Sequence, residues 1–312
     1  MSGKISILFP CYNQRDFIAQ GIKSCFDQDH KNIEVVVLDD GSNDDSLQVI
    51  SDIAKSAPVP VKFATQENHG PSYTYRKLAE MASGDYLIFL GGDDFLPPNC
   101  LQKRLEILEK NQELMFVCGM GQTFKDGKFD RHNFLNDKAL LLNNRTPQEI
   151  FTIMKRYRPQ EDGGLMFQAA LFRKSDYLAC GGFTEGMICD DTVLFYNLNK
   201  YACETGRRFK VIPDIAVCYR LHDDNISKDP EKMWLRFSEL HNALGFQSRR
   251  QASFSAYATY MTAVRKSGKW YHKDILERIF SDRAVIKYLT LGAIGCDFLF
   301  PWRRKRWDSV KK

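Results

Sequence analysis

The N-terminal part of the chain alternates short apolar runs with amphipathic stretches. The runs are KISILFP (4–10), IEVVVLDD (33–40), VKFAT (61–65) and DYLIFL (85–90), and polar residues, glycine or proline bound each of them. Runs of about 4–8 residues rich in Val, Ile and Phe are typical of strands buried on both faces of a parallel sheet. The pattern therefore predicts a buried parallel strand for each run.

Between these runs the apolar residues recur with a helical period. They fall at Phe17, Ile18, Ile22, Cys25 and Phe26, then at Leu47, Ile50 and Ile53, then at Tyr75, Leu78, Ala79 and Ala82. Ser42 and Asn43 are candidate N-caps of the second helix. This alternation indicates a doubly wound α/β sheet, in which ligands bind beyond the carboxyl ends of the strands.

The remainder of the chain is less regular. A strand-like segment at 115–124 is followed by a mixed stretch to Arg158 and by the segments 170–183 and 208–222. From Pro230 onward the pattern becomes helical. At 312 residues, with 44% of them hydrophobic, the chain is long enough for one large α/β domain or for a domain with an appendage.

The charge distribution and the cysteines argue against two classes of protein. The net charge of +5 is located in residues 301–312, which hold six Lys/Arg and one Asp, so residues 1–300 are electrically balanced. A nucleic-acid-binding domain usually spreads positive charge over a folded face, and this distribution argues against one. The nine cysteines include no CxxC pair and most have apolar neighbours, which favours buried thiols in a reducing cytoplasm over a disulfide framework.

No stretch has the pattern of an export signal or of a membrane-spanning helix. The apolar run near the N-terminus is short, and YLTLGAIGC (288–296) falls well below the roughly 20 residues that a spanning helix needs. We therefore expect a cytoplasmic protein that does not cross a bilayer.

Acidic side chains follow two of the predicted strands. Asp39 and Asp40 end the second run, and Asp93 and Asp94 follow the fourth run in FLGGDD. Like charges this close disfavour joint ionisation, which a divalent cation would relieve, and carboxylates suit hard ions such as Mg²⁺ or Mn²⁺. The glycines before Asp93 would let a ligand approach the backbone. For an isolated pair, two solvated turn aspartates are the simpler interpretation.

Two further features favour a metal or catalytic site over a pair of solvated aspartates in a turn. Asp190 and Asp191 precede an apolar-periodic stretch, where they are either N-terminal helix charges or a general base within reach of an acceptor hydroxyl. His222 follows a strand-like run, where it is either an ordinary hydrogen-bonded histidine or part of a metal site.

The ordered segments FPCYN, VVVLDDGSNDDS, ENHGPSYTYRKLAEMASGDYLIFLGGDD, LFRKSDYLACGGFTE, CDDTVLF and YRLHDDNIS resemble glycosyltransferase family 2. The resemblance covers roughly residues 4–227. It implies a GT-A fold, a Rossmann-like doubly wound mixed sheet, over residues 1–227, with residues 228–312 as a helical C-terminal extension. It also implies an inverting transfer from a nucleotide-diphosphate sugar, with UDP as the expected nucleotide, to a glycan or lipid-linked glycan in bacterial surface polysaccharide assembly.

The resemblance also assigns roles to single residues. Pro10, Tyr12 and Asp39 would meet the base and ribose, and Arg76, Gly92 and Asp94 would face the donor. Asp93 would bind the Mn²⁺ or Mg²⁺ with help from His222, and Asp191 would be the base. The sequence departs from the family at Gly91, which stands where the first aspartate of the DxD motif is usual, and at Asp190, which stands where Glu is usual.

The sequence lacks the motifs of two other classes of nucleotide-binding enzyme. FPCYNQRDF has no glycine where a nicotinamide dehydrogenase carries GxGxxG, and the GxxxxGK[ST] motif of a P-loop hydrolase is absent. A catalytically silent nucleotide-sugar-binding scaffold remains an alternative. The tail PWRRKRWDSVKK mixes cations with tryptophans, which predicts peripheral contact with an anionic membrane at its cytoplasmic face. A disordered, solvated charge run and an end that binds nucleic acid non-specifically are the alternatives.

Overall fold

A computed structural model describes residues 3–156, 164–187, 190–223 and 225 of the protein. These residues belong to one compact unit that ends at Asn225. The predicted helical region 228–312 and its basic tail lie outside the described residues, so the predicted domain boundary stays a prediction.

In the described part, eight strands form one sheet flanked by helices. The strands are β1 Ile5–Cys11, β2 Ile33–Asp39, β3 Val61–Thr65, β4 Tyr86–Phe89, β5 Leu114–Lys125, β6 Lys128–Leu135, β7 Ala170–Arg173 and β8 Arg208–Leu221. The helices are α1 Ile18–Ser24, α2 Ser46–Ser56, α3 Pro71–Met81, α4 Gln102–Lys110, α5 Pro147–Arg156, α6 Lys174–Ala179 and α7 Asp190–Thr205. Short 3-10 helices span Asp137–Asn144 and Phe167–Ala169.

The strand order explains how distant segments reach one edge of the sheet. The order is β3-β2-β1-β4-β7-β5-β6, and β8 pairs with β5. Strands β1 to β4 pair in parallel, β7 is antiparallel to both β4 and β5, and β8 is parallel to β5. Strands β5 and β8 therefore run in the same direction as β1 to β4. Their carboxyl ends share one edge, which we call the rim.

The positions of the first four strands confirm the sequence prediction, but the burial of β3 does not. Residues of β1, β2 and β4 are buried almost throughout, as expected for strands covered by helices on both faces. Strand β3 lies at the end of the strand order, and Lys62, Phe63 and Thr65 are exposed. The prediction of a buried strand was wrong there because β3 pairs only with β2.

The predicted start of the second helix was also wrong. Helix α2 begins at Ser46, and Asp45 occupies its N-cap position. Ser42 instead lies in the turn after β2, where its hydroxyl accepts a hydrogen bond from the main-chain N–H of Asn13 at 2.9 Å. Asn43 donates its own N–H to the side-chain oxygen of Asn13 at 2.8 Å. These side chains join the turns after β1 and β2 instead of capping a helix.

A buried carboxylate anchors the opposite edge of the sheet. The Glu34 side chain is fully buried and accepts hydrogen bonds from Ser6 Oγ at 2.6 Å and from the main-chain N–H of Ser83 at 2.6 Å. It also forms ion pairs with Lys4 at 3.0 Å and Lys62 at 2.9 Å. Burial raises the pKa of Glu34, but these hydrogen bonds outweigh it and hold the pKa well below the usual range.

Candidate active site

The rim gathers polar side chains from four strand ends. Tyr12 follows β1, Asp39 ends β2, the segment 91–94 follows β4, and His222 follows β8. Asp39 is the register partner of Cys11. Parallel neighbours thus bring together residues that are far apart in the sequence, as the doubly wound pattern predicted.

Asp93 and His222 lie in direct contact. The distance between His222 Nε2 and Asp93 Oδ2 is 2.9 Å, and both side chains are largely buried. Asn225 holds this arrangement, since its side-chain oxygen accepts the main-chain N–H of His222 at 2.7 Å. The amide nitrogen of Asn225 lies 3.4 Å from Asp93 Oδ2. The two residues predicted to bind a metal therefore form one cluster.

Asp94 differs from its neighbour because it points into the protein. The side chain is 1% exposed, and its Oδ1 accepts the main-chain N–H of Arg220 at 3.0 Å. Burial, with a smaller effect from the Asp93 charge, raises the pKa of the Asp94 carboxyl well above its usual value. Asp94 therefore supports the loop, and its predicted contact with the donor stays a prediction.

The glycines before the acidic pair are required by the chain itself. A Cβ on Gly92 would lie 2.8 Å from the carbonyl oxygen of Pro10, and a Cβ on Gly91 would lie 2.5 Å from Asp93 Oδ1. The Gly92 contact is with main chain at the end of β1, so the loop packs there only without a side chain at residue 92, whereas the Gly91 contact is with the carboxylate of Asp93. This packing involves Gly92 and Pro10 themselves, and their predicted donor contacts stay predictions.

Asp39 and Tyr12 present the groups that a nucleotide base could use. The Asp39 side chain is 2% exposed, and its Oδ2 accepts hydrogen bonds from Ser42 N–H at 3.2 Å and Thr65 Oγ at 3.1 Å. Its Oδ1 is buried and has no hydrogen-bond partner. Such an acceptor is costly unless a ligand supplies a donor. Tyr12 is 47% exposed, so its ring is open for stacking.

Other rim residues have structural roles. Asp40 Oδ1 accepts the main-chain N–H of His69 and its Oδ2 accepts that of Gly70, both at 2.9 Å, which fixes the loop before α3. Cys11 is buried, and burial raises its thiol pKa to about 12, so the thiol is neutral at physiological pH and unsuited to binding a metal.

Helix α3 holds the segment that precedes α7. The Arg76 guanidinium donates to the carbonyl oxygens of Gly181 at 3.3 Å and Phe183 at 3.0 Å, and lies 3.3 Å from Glu185. The Ser72 hydroxyl donates to the carbonyl of Met187. Since α3 starts at the rim, these contacts hold residues 181–187, which precede α7, near the rim. Arg76 is thus engaged with protein groups, and its predicted donor contact stays a prediction.

Asp191 lies in the first turn of α7. Its Oδ1 accepts the main-chain N–H of Thr192 at 2.7 Å, and the Thr192 hydroxyl lies 3.3 Å away. This placement confirms the expected helix start. The side chain is partly exposed, as a base that must reach a substrate requires.

Sequence reasoning missed three contributors to the rim. Arg220 donates from Nε to the carbonyl of Asp93 at 2.8 Å, and Asn225 holds His222. Gln14 lies where a Cβ on Gly92 would touch it, and its side-chain oxygen is buried without a partner. The sequence did contain one indication for Arg220. It lies two residues before His222 in an extended segment, and residues two apart in such a segment face the same side of the sheet.

Asp93 and His222 could bind a hard divalent cation only together with a ligand that supplies further oxygen atoms. Within the described ranges no group of three or more His, Cys, Asp or Glu residues could hold a metal ion. Asp93 and His222 supply one oxygen and one nitrogen. Mg²⁺ bound by proteins commonly takes one or two carboxylates and completes its shell with phosphate oxygens and water. A cation held by Asp93 and His222 would therefore need further ligands, which phosphate oxygens or water could supply.

Across the part of the chain that the structure describes, no helix is both long and apolar enough to cross a membrane.

The sheet order and the strand ends that meet at one rim define a doubly wound α/β fold. The family model for glycosyl transferase family 2 matches residues 6–179, more than half of the chain, and the protein belongs to this family. The resemblance in the sequence is thereby confirmed.

Three relatives illustrate the similarity. An uncharacterized glycosyltransferase of Haemophilus influenzae is 39% identical over 36% of this chain and 44% of its own length. The GalNAc(5)-diNAcBac-PP-undecaprenol β-1,3-glucosyltransferase of Campylobacter jejuni is 24% identical over 88% of both chains. The minor teichoic acid biosynthesis protein GgaB of Bacillus subtilis is 21% identical over 92% of this chain and 31% of its own. The chain thus spans less than half the length of several curated relatives.

Solved structures confirm the fold. S. aureus TarS in complex with UDP-GlcNAc superposes with a TM-score of 0.54 at 18% identity, over 85% of this chain and 74% of that one. The mannosyltransferase PcManGT of Pyrobaculum calidifontis, in complex with GDP-Man and Mn²⁺, gives a TM-score of 0.58 at 14% identity, over 98% and 83%. The predicted GT-A class, a mixed α/β sheet with flanking helices, is confirmed.

Proposed function

We propose that the protein is a metal-dependent, inverting glycosyltransferase. It transfers a sugar from a UDP-sugar to a hydroxyl of a glycan or lipid-linked glycan during assembly of a bacterial surface polysaccharide. The contact between Asp93 and His222 at 2.9 Å is the observation that carries this proposal. It places a carboxylate and an imidazole together at the strand-end rim, where ligands of doubly wound sheets bind.

The chain's own residues divide the work. Asp39 Oδ1, buried and without a partner, accepts from the base, while the open ring of Tyr12 stacks on it. Asp93 and His222 hold Mn²⁺ or Mg²⁺, which when bound stabilises negative charge on the departing diphosphate. Asp191 accepts the proton of the acceptor hydroxyl as that hydroxyl attacks the anomeric carbon. A single displacement from the opposite side inverts this carbon.

The comparisons support the donor and acceptor classes in part. One solved neighbour carries UDP-GlcNAc and another carries GDP-Man with Mn²⁺, so both of these neighbours bind a nucleotide sugar. The relative from Campylobacter jejuni is a glucosyltransferase that acts on an undecaprenol-linked glycan, and a relative from Bacillus subtilis takes part in minor teichoic acid biosynthesis. We propose UDP because one solved neighbour carries UDP-GlcNAc. The buried acceptor Asp39 Oδ1 suits the imide N–H of uracil, which thymine shares.

Calorimetric titration of UDP with Mn²⁺, and again with EDTA, tests the proposal. We expect UDP binding to depend on Mn²⁺, and we expect Asp93→Ala with Mn²⁺ to behave as the wild type does in EDTA. Asp214→Ala is a control, because the Asp214 side chain forms an ion pair with Lys103 at 2.7 Å and lies before the rim-forming end of β8. Unchanged Mn²⁺-dependent binding in Asp93→Ala would contradict the assignment.

Release of the nucleoside diphosphate from a panel of UDP-, GDP- and dTDP-sugars separates an enzyme from a silent scaffold. A scaffold would bind a nucleotide sugar with Mn²⁺ without hydrolysing or transferring the sugar. Slow metal-dependent hydrolysis of one donor would support the enzyme and identify the sugar.

We also propose that the protein works at the cytoplasmic face of the membrane, in peripheral contact with anionic lipid. The tail at 301–312, outside the described residues, carries six Lys/Arg and two tryptophans. Six cations at about 1 kcal/mol each near an anionic leaflet give an upper bound of roughly 6 kcal/mol, enough for reversible binding.

Deleting residues 298–312 should move the protein from anionic liposomes to the supernatant without changing hydrolysis of the donor. High salt should release the wild type in the same way, and zwitterionic liposomes serve as the control surface. Equal sedimentation of both forms with anionic liposomes at low salt would refute the membrane contact.

A further inference from the structure

The edge of β8 that faces away from β5 aligns the segment that carries the acidic pair. Cys218 and Phe95 exchange two main-chain hydrogen bonds, at 2.8 and 3.3 Å. Two residues further along, the main-chain N–H of Arg220 donates to Asp94 Oδ1, and two residues beyond that His222 contacts Asp93. Residues 218, 220 and 222 therefore contact Phe95, Asp94 and Asp93 in turn. The order is that of an antiparallel strand pair, but the last two contacts involve side chains.

The Arg220 side chain adds a second connection. Its Nε donates to the carbonyl oxygen of Asp93 at 2.8 Å, and its Nη2 donates to Gln20 Oε1 on α1 at 2.6 Å. One guanidinium therefore bridges the acidic loop to the helix that follows β1. The loop it holds begins with two glycines, whose backbone is intrinsically free to move.

Three aromatic rings fix the position of this guanidinium. Its central carbon lies 5.1 Å from the ring centroid of Phe17, 5.3 Å from that of Phe95 and 5.2 Å from that of Phe124. Cations within about 6 Å of a ring face are attracted by it, and partial burial strengthens the effect. The rings belong to three different segments, so the guanidinium cannot shift without disturbing all of them.

We infer that Arg220 is a positioning residue for metal binding. By holding the main chain of Asp93 against α1, it keeps the Asp93 carboxylate beside His222 and directed toward the rim. In this role Arg220 acts through the main chain of Asp93 and is not itself a ligand of the cation. The inference rests on the proposed function, because it assumes that Asp93 and His222 hold a divalent cation with the nucleotide.

The shape of the guanidinium matters as well as its charge. Arg220 uses two nitrogens on different acceptors while its plane faces aromatic rings, which a lysine ammonium cannot reproduce. Partners that orient metal ligands typically change metal affinity by about 10–100-fold when removed. The main-chain bond from residue 220 to Asp94 is retained in any variant except proline.

Titration of Mn²⁺ by calorimetry at saturating UDP tests the inference. Arg220→Met should raise the half-saturating Mn²⁺ concentration by about 10–100-fold, and Arg220→Lys should fall between this variant and the wild type. Arg173→Met is the matched control, because Arg173 donates to the carbonyl of Leu114 at 2.9 Å and lies 5.6 Å over the Tyr86 ring at the opposite edge of the sheet. It should lower the melting temperature without changing Mn²⁺ affinity.

The outcomes separate the two proposals. If the wild type shows no Mn²⁺-dependent UDP binding, the proposed function fails and the role of Arg220 fails with it. If the wild type binds Mn²⁺ and Arg220→Met binds it equally well, only the role of Arg220 is overturned. Wild-type affinity in Arg220→Lys, or an equal loss in Arg173→Met, would also overturn it.

Discussion

Replacing Asp191 with asparagine is expected to lower turnover by roughly 10²–10⁴-fold, the usual contribution of a positioned general base. Asparagine retains the size of the side chain and an oxygen that can accept from the main-chain N–H of Thr192, now at 2.7 Å from Asp191 Oδ1. The start of α7 should therefore be preserved. The substitution removes the negative charge and, with it, the capacity to take a proton.

Two measurements isolate that loss. UDP affinity with Mn²⁺ should stay near the wild-type value, because Asp191 is assigned to the acceptor and not to the donor. Glu204→Gln, at the exposed end of the same helix, removes an equal charge and should leave turnover unchanged. A loss of less than tenfold in Asp191→Asn would mean that another group is the base.

Replacing Glu34 with glutamine is expected to lower the free energy of unfolding by about 3 kcal/mol at pH 7. The fully buried carboxylate accepts hydrogen bonds from Ser6 and Ser83 and pairs with Lys4 and Lys62. An amide can present one oxygen and directs two N–H groups toward donors, so several of these bonds are lost. Urea unfolding measures the difference.

The same variant has a defined pH signature. The pKa of Glu34 is depressed in the folded state, so its stabilisation is present above the unfolded pKa of about 4.3 and is lost as pH falls toward the folded pKa. The stability difference between wild type and Glu34→Gln should therefore shrink between about pH 5 and pH 3. A difference that stays constant over this range would contradict the assignment. Glu106→Gln, on the exposed face of α4, is a control that should match the wild type.

The pattern of apolar residues predicted strands correctly where the strand is buried as its apolar run suggests. Strands β1, β2 and β4 were found because both of their faces are buried, and an uninterrupted apolar run is the consequence of that environment. The burial of β3 was misjudged because its composition resembles theirs while its position in the sheet does not. The cap of α2 was misplaced because Ser42 and Asn43 have polar side chains that serve a turn equally well.

The candidate site was only partly accessible from the sequence. Asp93, Asp191 and His222 were chosen by their type and by their place after strands or before a helix. The roles of Asp40 and Asp94 were not accessible, because an acidic residue after a strand can face a ligand or support its own loop. In this structure Asp40 holds the loop before α3, and Asp94 is buried against β8.

The sequence by itself determined the alternating strands and helices, the family, and the residue types available at the strand ends, because these depend on short-range periodicity and motif order. Only the tertiary structure decided which of those residues meet. Asp93 and His222 are 129 positions apart and come within 2.9 Å because β7 reverses direction, which makes β5 and β8 run parallel to β4. The ring-lined position of Arg220 depends on the same pairing, since Phe124 is its register partner on β5. Contacts of this kind follow from strand order, which local pattern does not encode.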